Sequence, residues 1–180
     1  TLDGTTNGDD GFFTNGLTTQ IASVAGDISI IGATTGTGSG NNGVDIEAGI
    51  TLAIQATNAA NISITGTGDA GDAAVIIGSP ISSQTGDVTI QALDGNSSTD
   101  DIAFGLGGDI TSTSGTVTIN ADTAGTTADV IMADGAVINA GTGLVDIDAD
   151  QDVLLGEVTS SNTVEVTSAA GAIVDNTTAE

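Results

Sequence analysis

Short runs in which apolar and polar residues alternate with period two recur along the chain, and they share an order. A small residue, a polar residue and an apolar-polar-apolar triplet stand at Gly26-Asp27-Ile28-Ser29-Ile30, Ala60-Asn61-Ile62-Ser63-Ile64, Gly86-Asp87-Val88-Thr89-Ile90 and Gly115-Thr116-Val117-Thr118-Ile119. Looser copies are Gly143-Leu144-Val145-Asp146-Ile147 and Asn162-Thr163-Val164-Glu165-Val166. Each copy predicts a short strand, because the alternation puts β-branched residues on one face and polar residues on the other. The first apolar positions, Ile28, Ile62, Val88, Val117, Val145 and Val164, are separated by 34, 26, 29, 28 and 19 residues. A second apolar segment follows in each unit: Val44-Asp45-Ile46, Val75-Ile76-Ile77, Asp101-Ile102-Ala103-Phe104, Asp129-Val130-Ile131-Met132 and Asp152-Val153-Leu154-Leu155. A third comes shortly after: Ile50 to Ile54, Ile81, Gly108-Asp109-Ile110, Ala136-Val137-Ile138 and Glu157-Val158. No sustained 3.6-residue periodicity competes with these runs, and the Gly and Thr density disfavours helix.

Three short strands per unit, repeated with turns of variable length, predict a right-handed parallel β-helix of about six or seven coils, in which equivalent strands stack into three sheets. Ile28, Ile62, Val88, Val117, Val145 and Val164 then point inward as one column, and Ser29, Ser63, Thr89, Thr118, Asp146 and Glu165 outward as another. An antiparallel β-sandwich is the alternative; it explains the alternation but not the repeated order of segments. Residues 1–180 read as one β-solenoid segment, a part of a longer chain or a filament subunit, because the sequence begins at Thr1 and both ends still read as coil. The extra length of the longer units is expected between first and second strands, at Gly32 to Gly43, Gly66 to Gly71, Ala92 to Asp100 and Ala121 to Ala128.

Composition narrows the function more than the fold. The chain of 180 residues carries 24 acidic residues and no Lys, Arg, His or Cys, for a formal charge of −24. Phosphate recognition has no cation to work with. Ser-His-Asp and Cys-His catalysis lack their base, a Schiff base lacks its lysine, and zinc lacks its nitrogen and sulfur ligands. So high a charge would favour disorder were the hydrophobic fraction not 38%, nearly all of it small and β-branched aliphatic.

The tight unit running from Gly143 to Ser161, with its Val145-Asp146-Ile147-Asp148-Ala149 core, and the segment Gly86-Asp87-Val88-Thr89-Ile90-Gln91-Ala92 resemble the repeat of filamentous haemagglutinin-like adhesins. The likeness spans residues 26 to about 170. It implies a long right-handed parallel β-helix, secreted and displayed outside the cell.

Carboxylates and neutral oxygens are the only ligands on offer, which matches hard cations and calcium above all. Asp146, Asp148, Asp150 and Asp152 form the densest run, and alternation lets its first members face outward together. Gly40-Asn41-Asn42-Gly43-Val44-Asp45 resembles the start of a calcium-binding nonapeptide. Asp45, Asp101, Asp129 and Asp152 recur before or within the second strand, as a possible stacked column, with turn-capping as the alternative role. Paired carboxylates are enough in principle for glycoside hydrolysis, yet no pair stands out; a regular Thr array for ice binding is also missing. The expectation is therefore a non-catalytic, extracellular or cell-surface structural or adhesive solenoid. Its partners are further coils stacked head to tail, or cell-surface or matrix carbohydrate, and its alternative role is calcium-dependent binding.

Overall fold

The computed structural model describes residues 10–14, 19–34, 39–51, 53–68, 71–93, 101–121 and 127–176. Every element in them is a strand. The first coil is β1 (Phe12–Thr14), β2 (Ile21–Ser23) and β3 (Ile28–Ala33); the second is β4 (Val44–Ile46), β5 (Ile54–Ala56) and β6 (Ile62–Thr67). The third is β7 (Val75–Ile77), β8 (Ile81–Ser83) and β9 (Val88–Ala92), and the fourth β10 (Ile102–Phe104), β11 (Ile110–Ser112) and β12 (Val117–Asn120). Next come β13 (Val130–Met132), β14 (Val137–Asn139) and β15 (Val145–Ala149), then β16 (Val153–Leu155), β17 (Glu157–Thr159) and β18 (Val164–Ser168). A last strand, β19 (Ile173–Asp175), opens a further coil.

Strands three apart in sequence pair side by side, giving a first, seven-stranded sheet β1-β4-β7-β10-β13-β16-β19, a second sheet β2-β5-β8-β11-β14-β17 and a third β3-β6-β9-β12-β15-β18. Pairing is parallel throughout. This is a three-sheet parallel β-helix of six coils and the start of another; a sandwich, whose sheets are antiparallel, does not describe it.

The expected inward column is in register from end to end: Ile28↔Ile62↔Val88↔Val117↔Val145↔Val164. The column two residues on, from Ile30 to Val166, accompanies it. With Val44, Ile46, Ile54, Val75, Ile77, Ile81, Ile102, Ile110 and Ile138 the buried members of these columns make one continuous aliphatic core, against which the partly buried Val166 packs. β-Branched side chains suit this position, since their single favoured χ1 rotamer repeats unchanged from coil to coil.

Two boundaries differ from the sequence reading. β3 and β6 run on as far as Ala33↔Thr67, so Gly32 and Gly66 are paired strand residues and not the start of an insertion. The third segment of the second coil begins at Ile54, while Ile50 lies buried in the corner before it, its N–H donated to Ser79 Oγ at 3.0 Å. Most of the remaining insertion residues lie outside the described residues.

The small residue that opens each unit has a steric cause. Ala60, Gly86, Gly115 and Gly143 stack at the corner leading into the third sheet. A methyl group on Gly115 would run into the Gly86 carbonyl oxygen, and one on Gly143 into that of Gly115. Gly26 begins the same column among the described residues, and a Cβ there meets nothing nearer than Ser23 Oγ at 3.7 Å. Gly115→Ala is expected to cost about 2 kcal/mol, as overpacking against backbone does, while Gly26→Ala stays within about 0.5 kcal/mol of the parent. Denaturant unfolding of the two variants side by side checks the difference; equal losses would mean that the corner is not tight.

Candidate functional site

The acidic residues enter the fold in two kinds of position. Asp146 and Asp148 are the outward residues of β15, between buried Val145, Ile147 and Ala149. Asp146 lies between Thr118 and Glu165 of the neighbouring strands, and Asp148 between Asn120 and Thr167. Burial, then the charges of Asp148 and Glu165, push the Asp146 carboxyl above its usual range. Asp150 and Asp152 lie past the end of the strand, in the turn and at the foot of β16, so the run of four does not share one face. Among the described residues no group of three or more Asp or Glu is gathered as a cation would require.

The proposed column resolves into three members and an outsider. Asp101, Asp129 and Asp152 each precede the first residue of β10, β13 and β16, and the register stacks them. Asp45 is instead the central outward residue of β4, opposite Phe13 and Ile76. Alternation could not separate these cases, because both place an Asp beside Val or Ile. In the stacked column two carboxylates take backbone donors from the next coil: Asp152 N–H bonds Asp129 Oδ1 at 2.7 Å, and Ala172 N–H bonds Asp152 Oδ1 at 2.7 Å. Turn-capping is thus the role of Asp129 and Asp152 in this structure.

The same device forms a longer ladder that sequence reasoning missed. Asp27 Oδ1 accepts the Asn61 N–H at 2.8 Å, Asn61 Oδ1 accepts the Asp87 N–H at 2.9 Å, and Asp87 Oδ1 accepts the Thr116 N–H at 2.8 Å. These are the polar residues standing immediately before β3, β6, β9 and β12. The signal was present in the repeat, where position two is Asp, Asn, Asp and Thr, but polarity there reads equally well as solvent exposure. Asp10 Oδ1 and Asn42 Oδ1 begin a parallel ladder on the first sheet, accepting from Asn42 and Ala73 N–H at 2.8 and 3.2 Å. The segment from Gly40 to Asp45 is accordingly a stitched turn, with Gly40 in the left-handed region (φ 76°) and its N–H on Asp72 Oδ1 at 2.6 Å.

Asp45 carries the clearest electrostatic penalty. Burial pushes its carboxyl up to about 6, with the charges of Asp10 and Glu47 adding to the effect. No family model, curated protein or solved structure matches the chain in any of the three comparisons, so these roles rest on the geometry alone.

Two outcomes follow from the carboxylates. Asp87→Ala should cost about 1 kcal/mol by leaving the Thr116 N–H without its acceptor, and Asp87→Asn should restore most of that; chemical denaturation measures both. For Asp45 the folded pKa lies above the unfolded one, so the folded state binds more protons between about pH 4 and 6 and stability falls as pH rises through that window. Asp45→Asn removes the penalty. It should gain about 1 kcal/mol at pH 7, limited because solvent reaches part of the carboxyl, and converge on the parent below pH 4. A difference in melting temperature that stays constant with pH would rule out this origin.

Proposed function

We propose that the chain is a segment of an extracellular structural β-solenoid, a stalk or filament subunit whose work is to hold a rigid shape rather than to catalyse a reaction. The observation that supports this best is the last coil. Val164 is 42% exposed and Ile173 50%, although Val145 and Val153, their equivalents one coil below, are fully buried. At the opposite end Ile28 and Ile30 are only 7% and 6% exposed. One end of the stack thus presents inward-pointing aliphatics and a row of strand edges, a template for a further coil. The resemblance to the haemagglutinin-like repeat agrees with a rod displayed outside the cell, as does a surface with no tryptic cleavage residue.

The platform is not uniform. The inward column Ile46, Ile77, Phe104 and Met132 continues to Leu155 and ends in Asp175. A coil laid on this end buries that carboxylate, so stacking is opposed at neutral pH by Asp175 as well as by repulsion between strongly acidic segments. Salt and divalent cations weaken that repulsion.

Sedimentation velocity and negative-stain microscopy of the full chain, with and without millimolar calcium, test the reading. End-to-end particles should appear whose length grows in steps of about 30 Å, six coils at ~4.8 Å each, more abundantly with calcium or high salt. Asp175→Leu should strengthen the association by about tenfold, roughly the 1.4 kcal/mol of one removed burial penalty. Unchanged monomers of both forms at high concentration and high salt would overturn the stacking role.

A further inference from the structure

The outer face of the second sheet carries a row unlike the rest of the surface. Gln55, Ser82, Thr111 and Asn139 are the outward residues of β5, β8, β11 and β14, stacked in register. The turn beside them adds a second row, with Gln84 and Thr113 at its centre. Between the two rows runs a groove of about 520 Å³. It is lined by amides, hydroxyls and small residues, with no carboxylate, in a chain that has 24 of them. Gly141 stands where the neighbouring coils carry Thr113 and Gln84.

We propose that this groove binds a neutral, linear polysaccharide lying along the solenoid axis. Its chemistry fits a ligand built of hydroxyl groups, since hydroxyl and amide side chains both donate and accept. Among the described residues, the side chains of Gln55, Ser82 and Thr111 form no hydrogen bond within the protein and are available to a ligand. The two other amides are held by their oxygens: Gln84 Oε1 accepts from the Asn58 N–H at 2.9 Å, and Asn139 Oδ1 from the Gly141 N–H at 2.8 Å. Each is thereby oriented with its NH2 left to donate. The rungs repeat at ~4.8 Å, so a repeating ligand meets similar contacts from coil to coil, four rungs in all.

Charge decides between ligand classes. Uronates, sulfated glycans, phosphates and nucleic acids are repelled by the surrounding carboxylates, and there is no Lys or Arg to hold them. A peptide strand needs an open backbone edge, whereas the groove offers side chains over a fully paired sheet. No aromatic residue lines it, so affinity comes from hydrogen bonds that compete with water, about 1 kcal/mol each. A single groove therefore binds at about millimolar strength, and useful adhesion comes from many grooves along one rod or many rods on one surface. The inference depends on the fold and not on end-to-end stacking, so either can fail without the other.

The test is affinity electrophoresis of the full chain through gels containing hydroxyethylcellulose, a β-1,3-glucan or a mannan, with polygalacturonate as the charged comparison. Retardation by at least one neutral polymer and none by polygalacturonate is the expected result. The double variant Gln55→Ala/Thr111→Ala should weaken it about fivefold for each hydrogen bond lost. Ser63→Ala/Thr89→Ala, on the outer face of the third sheet, should bind like the parent. Melting temperatures of both variants confirm that they fold. Absence of retardation by every neutral polymer, equal retardation of the groove variant, or preference for polygalacturonate would each overturn the proposal. So would a groove that proves to be a contact between copies, seen as a dimer lost in the Gln55→Ala/Thr111→Ala variant.

Discussion

Each paired strand residue in this solenoid sits on its equivalent one coil away, at ~4.8 Å, and that stacking of like on like governs what each position tolerates. An aliphatic β-branched residue stacks on itself without changing rotamer, hence the unbroken Ile and Val columns. The corner that brings one coil's backbone against the next admits a single methyl at Ala60 and none at Gly115 or Gly143. A carboxylate stacked on a carboxylate is repelled, by about 1 kcal/mol at such spacing even in water. The ladders relieve this by giving each Oδ1 a backbone N–H from the neighbouring coil, and by placing Asn61 between Asp27 and Asp87.

Periodicity made the inward columns legible because burial imposes the same demand on every coil. The Ile28-to-Val164 column and the order of strands within each unit were readable for that reason. Positions outside the core were not. An outward polar residue satisfies the pattern whether it faces open water, caps a turn or lines a groove, so Asp45 and Asp101 looked alike until register separated them. The Gln55-to-Asn139 row escaped notice for the same reason: Gln, Ser, Thr and Asn share no side-chain type, only a place. Asp175 reads in sequence as the polar end of a strand, and becomes an inward charge only once the column beneath it is known.

Charge is distributed with the same logic. Asp27, Asp87, Asp129 and Asp152 take backbone donors at the corners. Asp45 and Asp146, outward on their strands, bear desolvation and the repulsion of neighbouring carboxylates. The second sheet keeps its groove neutral, and Asp175 continues the column of Leu155 in the last strand. A uniformly acidic composition thus yields a surface with distinct regions, because position and not residue type decides whether a given Asp is compensated.

The direction of the hydrogen bonds between coils has a mechanical meaning. They lie along the solenoid axis, so tension applied at the two ends of the chain loads them one coil at a time, as a zipper, instead of loading a whole sheet in shear. Each coil that peels away releases its own length of slack. The coils span from 19 to 34 residues, so the slack runs from about 65 Å to about 115 Å at full extension. Under load such a stack of coils lengthens in small unequal increments and dissipates work at each one.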